Sequence, residues 1–217
     1  MKERADALLQ LAQAQYLESL NPARDELLLR MERRAQDKGY PISDPEVGAF
    51  LHLTATLGRP KRLLEVGTNI GYGAIVLARA AGCAATVVTL EKSADLCAEA
   101  TEFVRAAGLA SRVQVTCADA LEWLRTASGP WDYVYFDCMK EDYPSYLSAV
   151  LPHMPSGAQL VADNVLWKGH VANQTVPEGE RIRVDALRAF NHTVVNGGAF
   201  DGVILPLGDG VAWAIKR

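Results

Sequence analysis

No apolar run in the 217 residues approaches the roughly 18 needed to span a bilayer, so a membrane helix is not expected. The opening MKERADALLQ mixes charges into helical periodicity and does not read as a signal peptide, which makes a cytoplasmic location the default expectation. Clustered basic surface is missing too. The net charge is −4, and Arg30, Arg33, Arg34 and Lys38, the densest basic group, fall at spacings expected for a solvated helix face. A nucleic-acid or anionic-membrane partner is therefore not expected. Cysteine is scarce: Cys83, Cys97, Cys117 and Cys138 form no C-x-x-C pair. Zinc and a disulfide framework are thus not expected, and most of the four read as small buried apolar residues. There is no low-complexity tract, internal repeat or linker. One domain over residues 1–217 is expected, with a helical extension at 1–58 and an α/β core at 59–217.

What is present starts with helices. Leu8, Leu9, Ala12 and Tyr16 share one face, and Leu27, Leu28, Met31 and Ala35 another. A third helix, capped by Ser43 or Asp44 with Pro45 in its first turn, runs to about Leu57 before Gly58-Arg59-Pro60. This extension reads as a cap on the main fold, and either a lid over an acceptor pocket or a dimer surface would use it. From Arg62 the pattern changes to short apolar runs: Leu63–Val66, Thr86–Leu90, Val113–Thr116, Tyr133–Phe136 and Gln159–Ala162. Helical stretches lie between them, around Ala74–Ala81, Ala94–Ala107, Ala120–Arg125 and Tyr143–Leu151. That alternation predicts a Rossmann-like, doubly wound α/β fold with a mainly parallel sheet. After a helix at Val184–Val195, Phe200–Leu205 and Val211–Ile215 flank a short turn, so the seven-stranded sheet should end in an antiparallel hairpin.

The first strand, RLLEV, enters Gly67-Thr-Asn-Ile-Gly71-Tyr-Gly73 and then a helix. Glycines there let a ligand approach the backbone closely, although a glycine-rich turn alone also suits phosphates. Glu65 favours a cationic ligand over a pyrophosphate, and S-adenosylmethionine carries both a sulfonium and an ammonium. Glu91, after the second strand, is placed to accept ribose hydroxyls. Asp119-Ala120 follows the third strand, where adenine would rest. Each acid taken singly could equally cap a helix; three after three successive strands favour an adenosyl ligand.

Strand four closes on Asp137 and strand five on Asp163-Asn164. Neighbouring strand ends would bring these oxygens together, and two close carboxylates repel unless a proton or cation lies between them. All-oxygen ligation fits magnesium, manganese or calcium. Lys140, three residues beyond Asp137, is within a turn of the same place and is a candidate general base.

PISDPEVGAFL, LLEVGTNIGYG, FDCMKEDYPSY, ADNVLWKGHV and ILPLGDG together resemble the metal-dependent O-methyltransferases of the catechol and caffeoyl-CoA type, most of all small bacterial ones. The resemblance implies that Asp137, Asp163 and Asn164 bind the divalent metal and that Lys140 is the base. It implies a cofactor pocket lined by Ser43, Glu65, Gly67, Thr68, Glu91, Ala120 and Asp137. The glycine turn adds Gly71 and Gly73 to those candidates, and the third strand end adds Asp119. The acceptor would be a small aromatic vicinal diol, and a homodimer is expected; Trp167, Tyr143 and Tyr146 are candidates to wall its pocket, although as core aromatics they need no function. Two departures stand out. Gly73 takes the place of a serine common in relatives, and Cys138-Met139 replaces an Ala-Asp pair, removing an acid near the metal. A nucleotide-dependent oxidoreductase and a degenerate binding or dimerisation module are the other readings; neither uses Glu65 or the D…K…DN set.

Overall fold

The computed structural model describes residues 11–217. Three helices come first: α1 (Leu11–Ser19), α2 (Glu26–Lys38) and α3 (Pro45–Gly58). Asp25 caps α2 by accepting from the Leu28 N–H, and Gly39 closes it in the left-handed conformation. Met31 and Ala35 of the expected apolar face are buried, with Leu27 and Leu28 packed against the same cluster. The face expected in the first helix fares differently. Leu8 and Leu9 lie outside the described residues, and Ala12 and Tyr16 are exposed, Tyr16 at 65%. The basic group on α2 is not wholly a solvated face either. Arg34 makes two hydrogen bonds to Glu99, at 2.6 and 3.2 Å, and Arg30 stacks over Phe103, tying α2 to the fifth helix.

The rest alternates as expected: β1 (Arg62–Val66), α4 (Tyr72–Ala80), β2 (Thr86–Glu91), α5 (Ala94–Ala106), β3 (Val113–Cys117), α6 (Ala120–Leu124) and β4 (Tyr133–Phe136). Then come α7 (Tyr143–Val150), β5 (Gln159–Ala162), α8 (Arg181–Asn196), β6 (Phe200–Leu205) and β7 (Val211–Lys216). The sheet order is β3-β2-β1-β4-β5-β7-β6. Strands β1 to β5 are parallel, and β7 runs antiparallel between β5 and β6. This is the Rossmann-like fold with a closing hairpin. β4 and β5 are buried along their whole length because helices cover both faces, which is why they read as unbroken apolar runs. One core, with Leu63, Tyr133, Tyr135 and Val161, lies beneath α2 to α5; the other, with Leu64, Val66, Val134 and Phe136, packs against α7 and α8.

The chain steps from β1 outward to β2 and β3 and then to β4 on the other side, so the order reverses between β1 and β4. In such sheets ligands gather beyond the carboxyl ends at that point. The cysteines depart from expectation. Only Cys97 is buried, Cys83 and Cys117 are exposed, and Cys138 is half-buried. Cys97 and Cys117 are far apart in sequence, yet their thiols interact because α5 packs over the paired ends of β2 and β3.

Candidate active site

The register across three strands sets the site's floor. Glu65 of β1 is in register with Thr89 of β2 on one side and Tyr135 of β4 on the other. All three side chains leave the same face, two residues before Gly67, Glu91 and Asp137. Glu65 is 1% exposed, and its carboxyl accepts from the Thr89 hydroxyl, which also bonds the Thr68 hydroxyl. Burial is the main cause that pushes the Glu65 pKa up to about 8, with Asp137 and Glu91 adding repulsion against the Thr89 bond. At neutral pH a carboxyl so placed is mostly protonated, and a cation beside it favours the charged form.

Gly67 has φ +103, and a β-carbon there would overlap the Asp137 carbonyl. The turn after β1 therefore lies directly against the end of β4 as well as bonding back to Leu90 of β2. A small cavity there is lined by Ser43, Glu65, Gly67, Thr68, Gly73 and Asp137, together with Asn69 and Tyr72. Ser43 reaches it from the loop before α3. It does not cap that helix: Asp44 holds the cap position, without a side-chain bond. The Ser43 hydroxyl instead lies 3.0 Å from the Tyr135 hydroxyl and donates to Asp137 Oδ2 at 3.3 Å.

The remaining cofactor candidates sit around the rim. Gly71 stands at the start of α4 with φ +90, a left-handed conformation that favours glycine, and a β-carbon there would touch Ala100 of α5. Glu91 accepts from the Asn69 N–H with one oxygen and from the Lys92 and Ser93 N–H groups with the other, each at 2.9 Å. Its carboxylate is thus fixed in direction before any ligand arrives. Asp119 caps α6 through Glu122 N–H, which holds its pKa below the usual range, and Ala120 opens that helix.

At the other end, Phe136 pairs with Ala162, so Asp137 and Asp163 emerge side by side from adjacent parallel strands, about 5 Å apart in the backbone. Asp163 is 2% exposed and accepts from the Asn164 N–H at 2.6 Å and from its side-chain amide at 3.3 Å. Asn164 turns left-handed, with φ 56, which swings its amide back beside Asp163. Lys140 is 6% exposed; its ammonium lies 3.2 Å from Asp137 Oδ1 and 5.3 Å from the centre of the Tyr143 ring. A buried lysine beside a carboxylate is not a surface charge. The donor set, two carboxylates and an amide oxygen with a cation already drawn to one of them, has the chemistry of a magnesium-type site.

Comparison with known proteins fits this geometry. A family model described as O-methyltransferase matches residues 23–217. The chain belongs to the O-methyltransferase family. A catechol O-methyltransferase of Niastella koreensis is 32% identical over 213 residues, which cover 93% of this chain and 95% of that protein. An O-methyltransferase of Bacillus cereus, solved with S-adenosylhomocysteine, superposes with a TM-score of 0.85 at 27% identity, covering 95% of this chain and 97% of that one. TomG of Streptomyces achromogenes, an O-methyltransferase of tomaymycin synthesis solved with S-adenosylmethionine, gives 0.84 at 27% identity, covering 100% and 99%.

Sequence reasoning missed two residues of this methyltransferase site. Thr89 and Tyr135 looked like ordinary strand residues; only the register shows that they flank Glu65. Tyr143, expected as a pocket wall, is fully buried and donates to the carbonyls of Phe136 and Asp163, at 3.0 and 2.9 Å, clamping the ends of β4 and β5. Burial raises its hydroxyl pKa well above the ordinary value, so it remains a donor. Tyr146 is buried against Phe136 and is likewise core. Trp167 is half-buried, its indole N–H bonded to Glu180 at 2.7 Å.

Proposed function

We propose that this O-methyltransferase moves the methyl group of S-adenosylmethionine to one oxygen of a small aromatic vicinal diol, with a divalent cation bound by Asp137, Asp163 and Asn164. The observation that carries the reading is the side-by-side exit of Asp137 and Asp163 beside a buried Lys140. The cofactor supplies a methyl on positively charged sulfur, and the cation would hold the diol and lower the pKa of its hydroxyl.

Every other contribution comes from the chain. Glu91, held rigid by three backbone N–H groups, keeps lone pairs for ribose hydroxyls. Ser43, Thr68, Gly67 and Gly73 shape the methionine end, where Glu65 offers its carboxyl to the cofactor's positive charge. Asp119 and Ala120 border the adenine side. Lys140 Nζ, as the neutral amine, would take the proton that leaves the acceptor hydroxyl, freeing that oxygen for methyl transfer from the bound cofactor. Positioning inside a preorganised pocket supplies much of the acceleration. Acceptor choice belongs to the Trp167–Glu180 stretch, whose ends are joined by the Trp167–Glu180 hydrogen bond, and to exposed Met139 beside the site.

The test is methyl transfer to a catechol in protein stripped by a chelator. Activity should vanish and return with magnesium, manganese or calcium to different extents. Undiminished turnover in metal-free protein defeats the metal-bound reading. Calorimetric titration with S-adenosylmethionine checks the donor separately from the metal.

A further inference from the structure

Cys97 lies in the first turns of α5, and Cys117 ends β3 in register with Glu91, the last residue of β2. The Cys97 thiol donates to the Glu91 carbonyl at 3.4 Å, and the Cys117 sulfur lies 4.0 Å from the next carbonyl along, that of Lys92. The two thiols also interact with each other. One is buried and the other faces solvent. The same two residues whose carbonyls meet these thiols, Glu91 and Lys92, belong to the turn that orients the Glu91 carboxylate, through the N–H groups of Lys92 and Ser93. Ser93 is in turn the cap of α5.

We propose that Cys97 and Cys117 form a reversible intramolecular disulfide, a modification site that loosens the cofactor by shifting the Glu91 turn. The oxidant is a hydroperoxide. Exposed Cys117 is oxidised first: as thiolate it attacks the peroxide, takes one oxygen as sulfenic acid, and one water leaves. Cys97 sulfur then attacks that sulfenic sulfur; the S–S bond forms, the S–O bond breaks, and a second water departs with the remaining proton. Two thiols have lost two electrons and two protons, and the peroxide has become two waters. A dithiol reverses the change. Burial pushes the Cys97 thiol up to about 12, so in the resting protein it waits as the protonated, resolving partner.

The structural consequence is local. A disulfide needs its sulfurs about 2.05 Å apart, so its formation draws the start of α5 toward the end of β3. It also removes the S–H that bonds the Glu91 carbonyl. Both changes act on the turn that aims Glu91, which makes this inference rest on the proposed ribose role of that residue.

The full chain would be treated with hydrogen peroxide, quenched with catalase, and examined for free thiols, for linked tryptic peptides and for S-adenosylmethionine affinity by calorimetry. Two of the four thiols should disappear, the linked peptide should join Cys97 to Cys117, and Kd should rise about tenfold and recover with dithiothreitol. Cys117→Ser and Cys97→Ser should each abolish the linked peptide and hold Kd constant through the treatment. Four surviving thiols, oxidation confined to Cys83 or Cys138, or a Cys97–Cys117 link that leaves Kd unmoved overturns the proposal. Glu91→Ala in reduced protein separates the two readings, because a failed ribose role shows in its Kd while the thiol count is untouched.

Discussion

Glu65 and Gly73 share one volume: a β-carbon at position 73 would run into Glu65 Oε1. The glycine in α4 therefore does more than omit a hydroxyl near the methionine end of the cofactor. It gives the Glu65 carboxyl room to sit inward, against the Thr89 hydroxyl and below the Tyr135 ring edge. Gly73→Ala should expel that carboxyl. Helix propensity gains about 0.5–1 kcal/mol from the change, while the lost hydrogen bond costs about 1–3 kcal/mol. A net loss of about 1 kcal/mol by urea unfolding is expected, and a gain in stability would show that the carboxyl relaxes without cost.

The buried carboxyl also predicts a pH dependence. Its pKa in the folded protein is about 8, against 4.5 for the free group. Between those values the native state keeps a proton that the unfolded chain has released, so stability falls as pH rises through the window and levels off above it. The size is on the order of a few kcal/mol across the window. Unfolding curves from pH 5 to 9 should show this slope in the parent protein, and Glu65→Gln should flatten it. Equal slopes in both would place the titration elsewhere.

Binding a sulfonium and an ammonium beside the same group should lower its pKa. S-adenosylmethionine should therefore release close to one proton per chain near pH 7, and Glu65→Gln should release none. Calorimetry in two buffers of different ionisation enthalpy measures the number directly. Binding with no proton release would mean that Glu65 stays neutral in the complex.

Glu91→Ala should weaken S-adenosylmethionine binding about tenfold to a hundredfold, as expected for losing a charge-assisted hydrogen bond of about 1.5–3 kcal/mol. It also strands the N–H groups of Asn69, Lys92 and Ser93, so the melting temperature should fall as well. Glu91→Gln retains an acceptor for part of that turn and should keep more of the stability than of the affinity. An unchanged Kd in both variants would remove Glu91 from the cofactor site.

The sheet was legible because its strands are short, apolar and separated by helices; Tyr133–Phe136, Gln159–Ala162 and Phe200–Leu205 match the sequence reading residue for residue. The strand-end acids were legible for the same reason, since a polar residue closing a buried run marks the carboxyl end of a strand. Lateral relationships were not. Thr89 and Tyr135 flank Glu65 only through strand register, and Cys97 meets Cys117 only through packing of α5 on the sheet. Of the two caps that the sequence offered for α3, Asp44 holds the position, and the Ser43 hydroxyl is taken instead by Tyr135 and Asp137. Tyr16 misled because helical spacing of apolar residues says nothing of what covers them.

Lys140 is the residue whose proposed role makes the sharpest forecast. Its ammonium is buried at 3.2 Å from Asp137, so removing it changes charge balance as well as proton transfer. Lys140→Ala should cut turnover with a catechol by about 10²–10⁴-fold, the usual worth of a positioned general base. Lys140→Met keeps the aliphatic stem against the Tyr143 ring and cannot take a proton, so it should be as slow as alanine while unfolding closer to the parent. Affinity for S-adenosylmethionine should barely move in either variant, since the proposed ribose and adenine contacts lie at the ends of β2 and β3. Raising the pH should restore much of the rate, because the acceptor hydroxyl then ionises into solvent without help. If lysine served only to neutralise Asp137, both variants would lose stability yet keep near-parent turnover at every pH with the metal in excess. That outcome would take Lys140 out of the chemistry and leave acidification to the metal alone.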